Sequence, residues 1–68
     1  MNFAVTRIEW DRKTQRAYVE LQSSDPDGGN AFAVASFAYK ATARSKAQRT
    51  DDISRKARHI LKRAGIAV

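Results

Sequence analysis

The sequence predicts an α+β fold in which three antiparallel strands precede one carboxy-terminal amphipathic helix, a β-β-β-α order in a single small domain of residues 1–68. Three observations carry that expectation. Two early segments alternate apolar and polar residues, a proline- and glycine-bearing turn separates the second from an alanine- and aromatic-rich third, and the last segment carries apolar residues at helical spacing.

The first strand is expected at about 3–10, where Phe3 to Trp10 mixes aromatic, β-branched and polar side chains, and the second at about 15–22, where Ala17, Val19 and Leu21 alternate with Tyr18 and Glu20. Asp11-Arg12-Lys13-Thr14 between them has hairpin length. It predicts the pairs Trp10 with Gln15, Ile8 with Ala17, Thr6 with Val19 and Ala4 with Leu21, and sets Glu9 across from Arg16.

Asp25, Pro26 and Gly28 suit the first, second and fourth places of a type I turn, so a second hairpin follows. Asp25, Asp27 and Asn30 have the spacing of a calcium loop, but such a loop needs glycine at its sixth position and glutamate at its twelfth. This chain has Asn30 and Ser36 there, which favours a plain turn. The third strand is expected at about 31–42. Pairing Ser24 with Ala31 sets Leu21 opposite Val34 and Tyr18 opposite Phe37.

Ile53, Ala57, Ile60, Leu61 and Ala64 form one apolar stripe, which predicts a helix at about 51–64. Thr50 suits its cap, Asp51 and Asp52 its positive end, Lys62 and Arg63 its negative end, and Gly65 its left-handed stop. An earlier start at Ser45, spaced from Gln48 as a capping box, would align Lys46 with the stripe.

In this register one sheet face carries Ile8, Trp10, Val19, Leu21 and Val34 for the helix to cover. The other carries Phe3, Val5, Tyr18, Phe37 and Tyr39, beside Arg7 and Arg16. One helix covers one face, and a chain of 68 residues is short of core, so those five residues are expected to join two copies in a homodimer. A base-stacking surface is the alternative use of such aromatics.

Charge divides the chain. Residues 1–39 hold four basic and five acidic side chains, whereas residues 40–68 hold nine basic and two acidic. From Ser54 to the end of the helix there is no acid, unlike the mixed signs of an ordinary solvated helix. Lys40, Arg44, Lys46, Arg49, Arg55, Lys56, Arg58, Lys62 and Arg63 are therefore expected to contact nucleic acid, with little sequence specificity because no Asn or Gln accompanies the arginines at 55, 58 and 63. The competing expectation is a structural or protein-interaction module whose basic face serves solubility, its long aliphatic stems flanking the stripe. An anionic membrane surface fits less well, because the stripe holds no Trp or Phe.

There is no cysteine, and the single histidine, His59, lies at the polar rim of the helix. No Ser/His/Asp or Cys/His set and no nucleotide-binding glycine loop can be assembled. The expectation is thus a protein that is not an enzyme, with no catalytic residue, metal, cofactor or small-molecule substrate. The amino terminus lacks a cationic region followed by an apolar run, and no segment approaches the roughly 18 apolar residues of a membrane span, so the expected location is cytoplasmic.

Three antiparallel strands followed by a basic helix is an element order similar to that of the double-stranded RNA-binding domain without its first helix, and to the small arm-type DNA-binding domains of tyrosine recombinases. The likeness is one of order alone. The former family opens its last helix on a run of lysines, where this chain has Arg49-Thr50-Asp51-Asp52. No residue role is carried over.

Overall fold

The computed structural model describes residues 3–41 and 45–68. Strands β1 (Ala4–Asp11), β2 (Arg16–Ser24) and β3 (Asn30–Ala38) form one antiparallel sheet in the order β1-β2-β3, and helix α1 (Lys46–Arg63) follows. This is the expected β-β-β-α order. The helix packs on one face, where Ala17, Val19 and Leu21 of the central strand meet Ala33, Ala35, Phe37 and Tyr39 and the helix residues Ile53, Ala57 and Leu61. Alanines at 33, 35 and 57 keep both surfaces low, so the helix comes close enough to exclude water from Val19, Leu21 and Ile53. Ser23 is buried with them, and its hydroxyl has no hydrogen-bond partner among the described residues, a cost of about 1–3 kcal/mol.

Both hairpins differ from the expected registers. In the first, Asp11 pairs with Arg16, Trp10 with Ala17 and Ile8 with Val19, a shift of two residues from Trp10 with Gln15 and Ile8 with Ala17. The loop is Arg12 to Gln15 because the Asp11 carboxylate accepts the Lys13 amide at 2.8 Å, and Gln15 adopts a left-handed φ of 54° to re-enter the sheet. Glu9 consequently lies across from Tyr18, and Arg16 from Asp11. An irregularity between Val5 and Arg7 then sets Val5 against Leu21, so Phe3 and Val5 pack against the core instead of the opposite face.

The second hairpin decides more. Asp25 donates its amide to the Gly29 carbonyl at 2.8 Å, and Gly28 donates to the Asp25 carbonyl at 2.9 Å, so the connection is five residues long and Ser24 pairs with Asn30 rather than Ala31. Gly28 takes a φ of 87°, which suits a residue without Cβ. A slip of one residue reverses the faces of a strand. Phe37 and Tyr39 are accordingly 7% and 8% exposed beneath the helix, while Phe32 and Val34 stand on the open face at 63% and 48%. Only Tyr18 of the five residues expected on the open face lies there, flanked by Glu20 and Arg7.

The helix starts five residues before the expected Asp51. Ser45 is its cap, with the hydroxyl accepting the Gln48 amide at 3.2 Å, and Lys46 remains exposed although it aligns with the stripe. At the other end Gly65, at a φ of 88°, donates to the Lys62 carbonyl and Ile66 donates to that of Leu61. This is the pairing of a Schellman stop, so the expected role of Gly65 holds.

The two registers make opposite statements about two phenylalanines. Phe37→Ser should remove about 3–5 kcal/mol of burial, comparable with the whole stability of so small a fold, and abolish the folded far-UV dichroism. Phe32→Ser should leave that signal intact. The reverse result would restore the expected register.

Candidate nucleic-acid interface

Every candidate cation described in the carboxy-terminal half, Lys40 apart, sits on α1, and the helix sorts them by what faces each one. Arg49 lies over the Trp10 ring, its guanidinium carbon 4.7 Å from the centroid. Lys56 reaches past the edge of β3 to the Ala38 carbonyl at 3.2 Å and lies 5.5 Å from the Phe37 ring centre, and Arg58 donates to the Phe3 carbonyl at 3.0 Å. Arg55 pairs with Asp51 one turn earlier. These four tie the helix to the sheet or to itself.

Lys40, Lys46, Lys62 and Arg63 are exposed and make no hydrogen bond or ion pair with the described residues. Arg44 lies outside the described residues. The nine expected contacts therefore do not form one uniform surface. Arg58 is half-buried and turned toward β1, whereas Arg55, Lys56, His59, Lys62 and Arg63 are the exposed residues of the helix between Ser54 and Arg63. No hydrophobic, acidic or neutral polar side chain of that stretch is exposed to the same degree. Because the helix begins at Lys46, Asp51 and Asp52 lie in its second turn and its first turn holds no acid.

What holds this arc in place is a polar and aromatic clasp that the sequence did not disclose. The Trp10 indole donates to the Tyr39 carbonyl at 3.1 Å, and the two rings meet edge to face at 6.5 Å between centroids. Tyr39 in turn donates its hydroxyl to Asp52 Oδ2 at 3.2 Å and its amide to the Gln15 carbonyl at 2.8 Å. Strand β1, the chain leaving β3 and the helix are thus joined at one end of the sheet. Asp52, expected to serve the helix dipole, has this tertiary role instead, and Trp10 and Tyr39 share no local motif that would pair them.

On the open face Tyr18 donates to Glu20 at 3.2 Å, Arg7 to Glu9 at 3.1 Å and Arg16 to Ser36 at 3.2 Å. With two carboxylates among its aromatics, this face is a poor surface for phosphate. Among the described residues no helix is long and apolar enough to cross a membrane, and no group of three or more His, Cys, Asp or Glu is arranged to hold a metal.

No family model matches the chain, and no curated protein or solved structure matches it either.

Burial, then the charge of Asp52 and its hydrogen bond, raise the Tyr39 phenol above its ordinary value near 10. The folded state therefore holds this proton more tightly than the unfolded chain. That part of the stability is complete below about pH 10 and is lost as pH rises through the folded value. Tyr18 shifts in the same direction, first through burial and then through Glu20. Denaturant midpoints should fall above about pH 10, and Tyr39→Phe should lessen the fall. An unchanged slope in that variant would remove the phenol from the clasp's energetics.

Proposed function

We propose that this chain binds nucleic acid through the exposed arc Arg55, Lys56, His59, Lys62 and Arg63, aided by Lys40 and Lys46, as a homodimer joined through its sheets. One observation supports the reading above the rest. Every exposed residue of α1 from Ser54 to Arg63 is cationic or histidine, although a solvated helix is as well served by alternating signs and loses a few tenths of a kcal/mol by their absence. Phosphate contacts of this kind position a backbone without reading bases, so binding is only weakly sequence-dependent.

The mechanism is counterion release. About four cations per copy are exposed without strong internal partners, so log affinity for duplex DNA should fall against log salt with a slope of about −3.5 for each copy engaged. The replacements Arg55→Ser, Lys62→Gln and Arg63→Gln together should flatten the slope and leave the fold intact, since none of the three side chains touches the core. Arg58 is unsuited to this test because it bonds the Phe3 carbonyl.

A second reading has its own support. Arg49, Arg55, Lys56 and Arg58 all find partners inside the chain, which is the behaviour of cations that brace a small fold and keep it in solution. Titration against single- and double-stranded DNA and RNA at low salt separates the two. Binding by wild type that weakens in the triple variant supports a nucleic-acid interface, and no binding at low salt supports the bracing role.

A further inference from the structure

The two edges of the sheet are unlike. β1 is broken by its irregularity between Val5 and Arg7, carries Arg7, Glu9 and Asp11, and has Arg58 laid against the Phe3 carbonyl at its start. These are the devices that keep an edge strand from pairing. β3 shares only the last of them, Lys56 on the Ala38 carbonyl at its end: its nine residues, NAFAVASFA, contain no charge and no proline, and its pairing with β2 is regular from end to end. It also carries Phe32 and Val34, two of the three large hydrophobic residues that are exposed among the described residues.

The direction of each free backbone group follows from one bond. Tyr39 donates to the Gln15 carbonyl in the same register as the rest of the hairpin, so odd-numbered residues of β3 turn their amides and carbonyls toward β2. The even-numbered ones, Asn30, Phe32, Val34, Ser36 and Ala38, turn theirs outward. Two contacts agree with this. The Ala38 carbonyl accepts from Lys56 instead of from β2, and the Glu20 carbonyl of β2 accepts from Thr6 of β1.

We propose that β3 is a homotypic pairing edge: two copies join antiparallel along Asn30–Ala38, about a twofold axis that passes between the two Val34 residues, into one six-stranded sheet. This rests on the homodimer reading above and specifies its geometry. Val34 is the middle residue of the strand and its backbone groups face outward, so pairing it with itself sets Phe32 opposite Ser36 and Asn30 opposite Ala38 of the second copy. Every outward group is then used, in about ten hydrogen bonds, and no residue of the strand overhangs. Phe32 of each copy lies diagonal to Val34 of the other on the open face, within reach of an aromatic ring.

Charge favours a second copy as the occupant. A chain of net charge +6 repels itself over most of its surface, and β3 is the one strand without a charged residue. Lys56 does not obstruct the pairing, because a carbonyl oxygen accepts two hydrogen bonds. The twofold axis stands perpendicular to the sheet, so both helices lie on the same face and their cationic arcs are presented together.

The test is the mass in solution of wild type and three variants at micromolar concentration, beside their far-UV dichroism. Wild type should sediment at about twice the chain mass of 7.6 kDa. Ser36→Pro removes an outward amide that the monomer does not use, at an edge position where proline is tolerated, and should give a folded species of single-chain mass. Val34→Lys, which leaves the backbone unaltered and sets two cations at the axis, should do the same. Tyr18→Lys, on the open face of the central strand, should remain dimeric. In wild type an intermolecular Hα–Hα Overhauser contact should join Ala33 of one copy to Ala35 of the other. A dimer that survives both β3 variants and is lost in Tyr18→Lys overturns the edge proposal and keeps the homodimer, as a face-to-face pair. A wild-type monomer at every concentration overturns both.

Discussion

The connection from Asp25 to Gly29 is the constraint on which the rest of this structure depends. It holds five residues, closed by Asp25 and Gly29 on the outside and by the Asp25 and Gly28 turn within. An odd connection of this length dictates which parity of β3 faces the helix. With six residues, Phe32 and Val34 would lie under α1 and Phe37 and Tyr39 would be outside. With five, the helix meets Ala33, Ala35 and Phe37, and its Asp52 finds the Tyr39 hydroxyl. The clasp around Trp10 exists only in this register, because Tyr39 must face the same side as Trp10 for the two rings to touch.

Placement of the helix then sorts its charges. A helix that buries only Ile53, Ala57 and Leu61 leaves its basic residues to the flanks and the outer arc. Those at the flanks use aliphatic stems and charged heads together: Arg49 on Trp10, Lys56 on Phe37 and Ala38, Arg58 on Phe3. Those on the outer arc face solvent. One run of positive charge therefore divides into cations that fasten the helix and cations that remain available. The proposed function draws on the second group together with Arg55 and Lys56, which have internal partners yet stay exposed on the same arc.

Periodicity made the element types legible. Alternation around Val19 and Leu21, the Asp-Pro-Asp-Gly turn and the Ile53 to Ala64 stripe each gave the right element, and Gly65 gave the right stop. The expected helix start lies five residues late because a start at Ser45 sets Lys46 in line with the apolar stripe; in the structure Lys46 stays exposed in that position and the Ser45 side chain makes the cap bond. The registers were missed because loop length is a matter of one hydrogen bond. Gln15 in a left-handed conformation and the Asp25 to Gly29 bond leave no strong mark in composition. A signal did exist in β3, where Ala33, Ala35, Phe37 and Tyr39 share one parity that small residues and aromatics could fill together. At the candidate site, the acid-free arc was legible from charge alone, whereas the internal duties of Arg49 and Arg58 required tertiary contacts with Trp10 and Phe3, far away in sequence.

The central claim is the β2 to β3 register, and nuclear Overhauser contacts between α-protons read it directly. Facing residues that do not exchange backbone hydrogen bonds bring their Cα atoms to about 4.5 Å, the closest approach in an antiparallel pair. Here these are Gln22 with Phe32, Glu20 with Val34 and Tyr18 with Ser36. Strong Hα–Hα contacts should join those three pairs. Contacts of Val34 with Leu21 and of Ser36 with Val19, or of Phe37 with Tyr18 and of Ala35 with Glu20, in their place would contradict the register, and with it the buried positions of Phe37 and Tyr39 and the outward edge of β3.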